Sequence, residues 1–226
     1  DMISLLCPTR GRPKEAERLL KSFQNTQKNE NEILFYVQND DKFKQEYIDL
    51  FNKYKLKTFI IGLHMPTSYL WNKLSEYAQG DLLTLIGDDV EILSDHWDDK
   101  FEYASKQYKD NIFVITTQDG RTDKKVGRYL RCPHPTVHKR WKEILGYFVP
   151  PFFLHRYLDK YTADLGISLN RYIEIKDVVF NHLKFMSIND DTGKLSRLWI
   201  KDDHNNFEIT KRYFDVDLEL LKKNIA

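Results

Sequence analysis

The sequence predicts an α/β fold: a mostly parallel sheet flanked by helices, followed by a helical and loop-rich C-terminal region. Three observations lead there. Short apolar runs alternate with segments of helical periodicity as far as residue 118, polar residues collect immediately after the apolar runs, and beyond 118 the alternation stops.

"ISLLC", residues 3–7, is a continuous apolar run closed by Pro8, as expected of a strand buried on both faces. After Pro13, which suits the first turn of a helix, Ala16, Leu19, Leu20 and Phe23 recur at helical spacing. "EILFYVQND", 32–40, reads as a second strand, and Phe43, Tyr47, Leu50 and Phe51 mark a helix over 42–54. "KTFIIGL", 57–63, supplies a third strand. "SYLWNKLSEYAQG" is a short helix stopped at Gly80, and "DLLTLIG" is the fourth strand. A helix around 95–108 and a strand over 111–118 complete the alternation, so a parallel sheet covered on both faces is expected. The segment 119–142 reads as a basic loop, and 143–171 places a helix after Pro150 and Pro151. "YIEIKDVVFNHL" is the last strand, and the polar tail from 189 ends in an amphipathic helix near 215–223.

With 226 residues, 41% of them hydrophobic, the chain can bury a large core. Thirty-five basic residues against thirty-four acidic leave a net charge of +1, so no global field draws it to nucleic acid or an anionic membrane. Cys7 and Cys132 are too few and too far apart for a disulfide scaffold or a zinc site, and fit a reducing compartment. No apolar run approaches the roughly 18 residues of a membrane span, and the N-terminus carries no signal-peptide pattern. A soluble, cytoplasmic protein with no membrane span is expected.

Chemistry concentrates in "LLTLIGDDVEIL", 82–93. Asp88 and Asp89 repel each other beside a buried strand, an arrangement resisted by desolvation unless a cation or a set of donors faces them. The alternative is a solvated turn, since Gly-Asp-Asp is ordinary turn composition. The other strand ends bear on the choice, because open parallel sheets bind ligands at their carboxyl edge. They read "PTRGRP", "QNDD", "GLHMP" and "TTQDG". Arginine forks match phosphate oxygens, and hard divalent cations take carboxylate and phosphate oxygen, so two arginines and two aspartates on one edge suit a diphosphate with its metal.

In order, "LLCPTRGRP", "YVQNDD" and "LWNKLSEYAQGDLLTLIGDDVEIL" resemble the nucleotide-sugar-binding half of GT-A glycosyltransferases, particularly the family-2-like group. Further on, "HPTVHKRWKEILGYFVPPFF", "YLDKYTADLG" and "VVFNHL" look like the acceptor half of bacterial and phage members. The resemblance implies a GT-A-like, Rossmann-like fold, with residues 1–118 as the donor-binding half and 119–226 as the acceptor-binding and C-terminal part of the same domain. It also implies inverting transfer of a sugar from a nucleotide-diphosphate donor, a UDP-sugar first among them, to an acceptor hydroxyl, assisted by Mn2+ or Mg2+. Carried onto this chain, Thr9, Arg10 and Arg12 touch the nucleotide, Asp40 or Asp41 holds base or ribose, and Asn72 and Asp88 belong to the donor site. Asp89 is the principal metal ligand and His182 completes the metal site. Gly87 departs from the family's Asp-x-Asp pattern, so Asp88 shares the role or the metal is held more weakly.

The base that accepts the acceptor hydroxyl's proton is Asp159 or Asp164; the sequence leaves both open. So does the acceptor. A glycan or sugar is one reading, and a hydroxymethylated base of viral DNA is the other. The basic stretch 121–142, interleaved with Tyr129, His134, His138 and Trp141, suits either a phosphate backbone or a lid over the donor diphosphate. A catalytically inactive nucleotide-sugar-binding module is the non-enzymatic alternative. Polymerases with a "GDD" palm need more chain than this, and the Gly-rich signature of sugar nucleotidylyltransferases is absent from "CPTRGRP".

Overall fold

The computed structural model describes residues 1–120, 134–183 and 191–226, the side chains of 191–193, 196 and 207–209 excepted. β1 (Ile3–Thr9), β2 (Glu32–Gln38) and β3 (Phe59–Gly62) are joined by α1 (Pro13–Thr26) and α2 (Lys44–Lys53). After α3 (Thr67–Tyr77) the chain returns to β4 (Leu82–Leu85) on the other side of β1. β5 (Val90–Ile92), α4 (Trp97–Ser105) and β6 (Val114–Gln118) follow. β7 (Thr136–His138), α5 (Lys139–Leu145), α6 (Leu158–Ser168), β8 (Tyr172–His182), α7 (Asp191–Ile209) and α8 (Lys211–Lys222) complete the described elements.

The strands form one eight-stranded sheet in the order β3-β2-β1-β4-β7-β6-β8-β5. β1 pairs in parallel with β2 and β4, β2 with β3, and β6 with β8. β7 is antiparallel to both β4 and β6, and β5 is antiparallel to β8. The sheet is therefore mixed. Its wholly parallel part is the β3-β2-β1-β4 half, where each crossover carries a helix.

Strand alternation divides the core into two layers. Ile3, Leu5, Cys7, Ile33, Phe35 and Val37 pack on one face under α1, α2 and α4. Leu6, Leu34 and Tyr36 point the other way, under α3, α5, α6 and α8. Trp71 of α3 fixes that layer to β1 by donating its indole N–H to the carbonyl of Leu6 at 2.8 Å. α6 lies tight on β6: a Cβ on Gly166 would stand 2.7 Å from Val114 Cγ2.

Several sequence expectations are corrected. "VEI" is a strand, β5, because the turn at 86–89 sends the chain out of the central sheet to pair with β8. Residues 136–145, within and just beyond the expected basic loop, form β7 and α5. Val137 and Trp141 enter the core there, too few apolar positions to show a period. The tail is helical from 191, well before the expected 215. The rest of the basic stretch, 121–133, and Cys132 with it, lies outside the described residues. Cys7 is a buried free thiol.

Candidate active site

The order of the strands locates the site. From β1 the chain steps outward to β2 and β3, then returns to the opposite side of β1 as β4. Such a reversal leaves a crevice at the carboxyl ends of the two central strands. Thr9, the last residue of β1, and Arg12 just beyond it meet there with Asp88 and Asp89, which follow β4.

Asp88 is 6% exposed. Its carboxylate accepts the Thr9 hydroxyl at 2.8 Å and Arg12 Nη1 at 3.2 Å. Tyr47 of α2 closes the other side, its hydroxyl 2.9 Å from Thr9 Oγ1 and accepting the Arg12 backbone N–H at 2.7 Å. Burial pushes the Asp88 carboxyl up to about 6 against the opposing charge of Arg12, and neighbouring Asp89 adds to the rise. A buried carboxylate so disfavoured, with an arginine against it, is a site prepared for further positive charge.

Asp89 faces His182 at the end of β8, Oδ2 to Nε2 at 3.1 Å. Burial would raise its carboxyl, but the hydrogen bond and charge of His182, with the charges of His134 and Arg12, outweigh that and hold it below the usual range. The antiparallel β5–β8 pair sets this contact, placing Val90 opposite His182, and the Leu183 N–H donates to the Asp89 carbonyl at 2.8 Å. A separation of 3.1 Å between one oxygen and one imidazole nitrogen suits two adjacent ligands of a single cation at about 2.1 Å each. Gly87 has a steric role: a Cβ there would stand 2.7 Å from Asp89 Oδ1. Among the described residues no group of three or more His, Cys, Asp or Glu is arranged to hold a metal. Asp89 and His182 fit a cation that completes its shell with diphosphate oxygens and water, as Mg2+ sites with one or two protein carboxylates do.

Arg10 forks onto Asp40 at the end of β2, at 2.6 and 3.1 Å, and also reaches Gln38 Oε1 at 2.8 Å. His64, after β3, approaches Asp40 Oδ2 at 3.0 Å. The Arg10 bond outweighs desolvation and, with His64, lowers the Asp40 carboxyl to about 2. Asp41 is a framework group, accepting the backbone N–H of Gly11 at 2.8 Å and of Phe43 at 2.9 Å, so it ties the first loop to the second. Gly11 has φ +70°, the left-handed region that favours glycine.

The remaining candidates lie on the helices α3 and α6. Asn72 sits on α3 with its amide engaged by backbone: Nδ2 donates to Ser68 O and Val149 O, and Oδ1 accepts Phe148 N–H and Val149 N–H. Asp159 lies in the first turn of α6. Asp164 lies further along the helix and pairs with Lys160.

Residues 154–156 carry features that the sequence did not reveal. Asp203 of α7, fully buried, accepts the backbone N–H groups of Leu154, His155 and Arg156 at 2.5, 3.0 and 2.7 Å. His155 Nδ1 bonds Thr67 Oγ1 at 2.6 Å. Desolvation, then the charges of Arg156 and Arg12, lower His155 to about 4 despite Asp203 and Asp89, so the loop leading into α6 carries a neutral imidazole. Asp203 lies in a polar tail with no motif around it. Tyr47 reads from sequence as one more apolar helix position, and only its hydroxyl's partners reveal its second role.

No family model and no curated protein sequence matches the chain. Solved structures do. A mannosyltransferase from Pyrobaculum calidifontis, PcManGT, in complex with GDP-Man and Mn2+, superposes with a TM-score of 0.64 at 13% identity over 98% of this chain and 73% of its own. TarS of S. aureus, residues 1–349 in complex with UDP, gives 0.62 at 13% identity over 91% of this chain and 68% of that one. Against a longer TarS structure the chain spans 43% of the length. Glucosyl-3-phosphoglycerate synthase of Mycobacterium tuberculosis, with Mn2+, UDP and glucosyl-3-phosphoglycerate, gives 0.60 at 12% identity over 91% and 79%. With its reversal of strand order at β1 and β4 and its mixed second half, the chain has the GT-A fold of the nucleotide-sugar glycosyltransferases.

Proposed function

We propose that this protein transfers a sugar from a nucleoside-diphosphate sugar, with UDP as the first nucleotide to test, to an acceptor hydroxyl with inversion at the anomeric carbon. The observation that carries the reading is the meeting of Thr9, Arg12 and Asp88 with the Asp89–His182 pair at the switch point of a GT-A sheet. Arg10 and Arg12 bring two guanidinium groups to the edge where the diphosphate binds, and the Arg10–Asp40 fork marks the place for base or ribose. Asp89 and His182 would hold Mn2+ or Mg2+, which neutralises the departing diphosphate.

The 1–118 half carries these donor-side groups. The 119–226 part supplies His182, the 154–156 loop and α6, and is the acceptor side. Asp159 is the first choice of base because it follows that loop within one helical turn, with Asp164 the alternative further along α6. No helix among the described residues is long and apolar enough to cross a membrane, and the buried thiol of Cys7 fits a cytoplasmic setting. A glycan is the preferred acceptor. The DNA-base reading rests on a basic stretch of which 121–133 lie outside the described residues.

A donor-hydrolysis screen across UDP-, GDP- and dTDP-sugars, with and without manganese, tests the reading. Metal-dependent release of nucleoside diphosphate supports it. Nucleotide-sugar binding without any release would leave a binding module.

A further inference from the structure

On the α3 side of the sheet lies a cavity of 440 Å³ lined by none of Thr9, Arg10, Arg12, Asp40, Asp88, Asp89 and His182. One wall is an α3 stripe at helical spacing, Tyr69, Asn72 and Glu76. The other is formed by Lys142 of α5, Tyr147 and Pro151. Asn72 holds the walls together: its amide bonds to Ser68, Phe148 and Val149 bridge α3 to the 148–149 backbone. The cavity is thus preformed, and its size suits a small ligand. Tyr147 is fixed from behind by its hydroxyl's bond to Asp217 of α8, while Tyr69 is 45% exposed at the mouth.

Its chemistry is selective. Two tyrosines and two prolines supply flat apolar surface, and the lining carries one carboxylate, Glu76, which pairs with Lys73 at 2.6 Å, and one ammonium, Lys142, which donates to Ser75 O at 3.0 Å. A polyphosphate backbone would need an excess of cations. A sugar ring, with C–H faces to lie on rings and hydroxyls to reach mixed polar groups, matches without one.

Its position ties it to α6. At one end, Leu154 lines the cavity and its carbonyl accepts the Ser68 N–H at 3.3 Å. The next residue, His155, bonds Thr67 Oγ1 at 2.6 Å. The same loop leads into α6 and to Asp159, the residue proposed as base.

We propose that this cavity is the acceptor subsite and that it takes a neutral sugar ring of a glycan; the acceptor role, though not the binding itself, rests on the glycosyltransferase reading. The test is ligand-observed saturation-transfer NMR with methyl glycosides of glucose, galactose, mannose, N-acetylglucosamine and N-acetylgalactosamine. No nucleotide sugar is added, so the result is independent of whether donor hydrolysis is found. At least one glycoside should bind the wild-type chain. Its Kd should rise about tenfold in Tyr69→Ala, and in Glu76→Gln as a second variant at an exposed site. Excess UDP with Mn2+ should leave it bound. Absence of binding by all five glycosides, displacement by UDP, or unchanged affinity in both variants would each overturn the proposal.

Discussion

Replacing Asp203 by alanine should unfasten the loop that leads to the acceptor side. Its carboxylate is fully buried and accepts three consecutive backbone N–H groups at 2.5, 3.0 and 2.7 Å. A hydrogen bond to a charged group contributes about 1.5–3 kcal/mol, and a buried donor left without a partner costs about 1–3 kcal/mol. Relaxation and water entry recover part of that, so Asp203→Ala should lose about 3–5 kcal/mol. Asp203→Asn discriminates further. Its amide can turn so that the carbonyl oxygen keeps His155 and Arg156, the two donors now on Oδ2, leaving only the Leu154 N–H opposed by an NH2. That loss should be about 1–3 kcal/mol. Urea unfolding followed by tryptophan fluorescence measures both. The asparagine variant should also keep nucleotide binding while its turnover falls, because the loop orients α6 and Asp159 but leaves Arg10 and Arg12 in place. An alanine variant within about 1 kcal/mol of wild type, or an asparagine variant as unstable as alanine, would show that the three bonds do not anchor the loop.

Three further outcomes are expected. Asp88 has a folded pKa of about 6 against an ordinary 3.8, so the folded state binds its proton more tightly than the unfolded state. Its stabilising contribution is complete below the unfolded value and is lost as pH rises to about 6, a change of about 3 kcal/mol. The thermal stability of the metal-free wild type should therefore drop relative to Asp88→Asn between pH 4 and 6.5, and parallel curves would contradict the burial argument. Asp159→Asn should keep donor affinity and lose turnover, the pattern of a group acting in the transition state; if Asp164→Asn alone does so, the base lies five residues on. Gly87→Ala should displace the movable end of the Asp89 side chain, leave stability nearly unchanged and weaken metal-dependent hydrolysis about tenfold, which a metal titration at fixed donor would read.

Much of this was legible in the sequence where local chemistry and topology coincide. The β1 to β4 alternation follows from apolar runs that serve two faces at once, and a parallel sheet puts its ligands at the strand ends, so the arginines after β1 and the paired aspartates after β4 drew notice by position, while Thr9 entered through the resemblance. β5 and β7 were not legible, because three-residue strands have no period to read and owe their pairing to partners far along the chain. Asp203 and His155 were hidden for a related reason. They meet over 48 residues of sequence, in segments whose composition marks neither as special. Asn72 entered the sequence reading as a donor-site residue implied by the resemblance, and only its four backbone bonds show that it joins two segments.

The decisive measurement is calorimetric titration of UDP into the wild-type protein and into Asp89→Ala, each with and without Mn2+. If Asp89 and His182 hold the cation that carries the diphosphate, manganese should tighten UDP binding to the wild type by about tenfold or more and do nothing for the folded variant. Equal tightening in both proteins would remove Asp89 from the metal site. Tight binding that ignores manganese in both would mean that Arg10 and Arg12 neutralise the diphosphate without a cation.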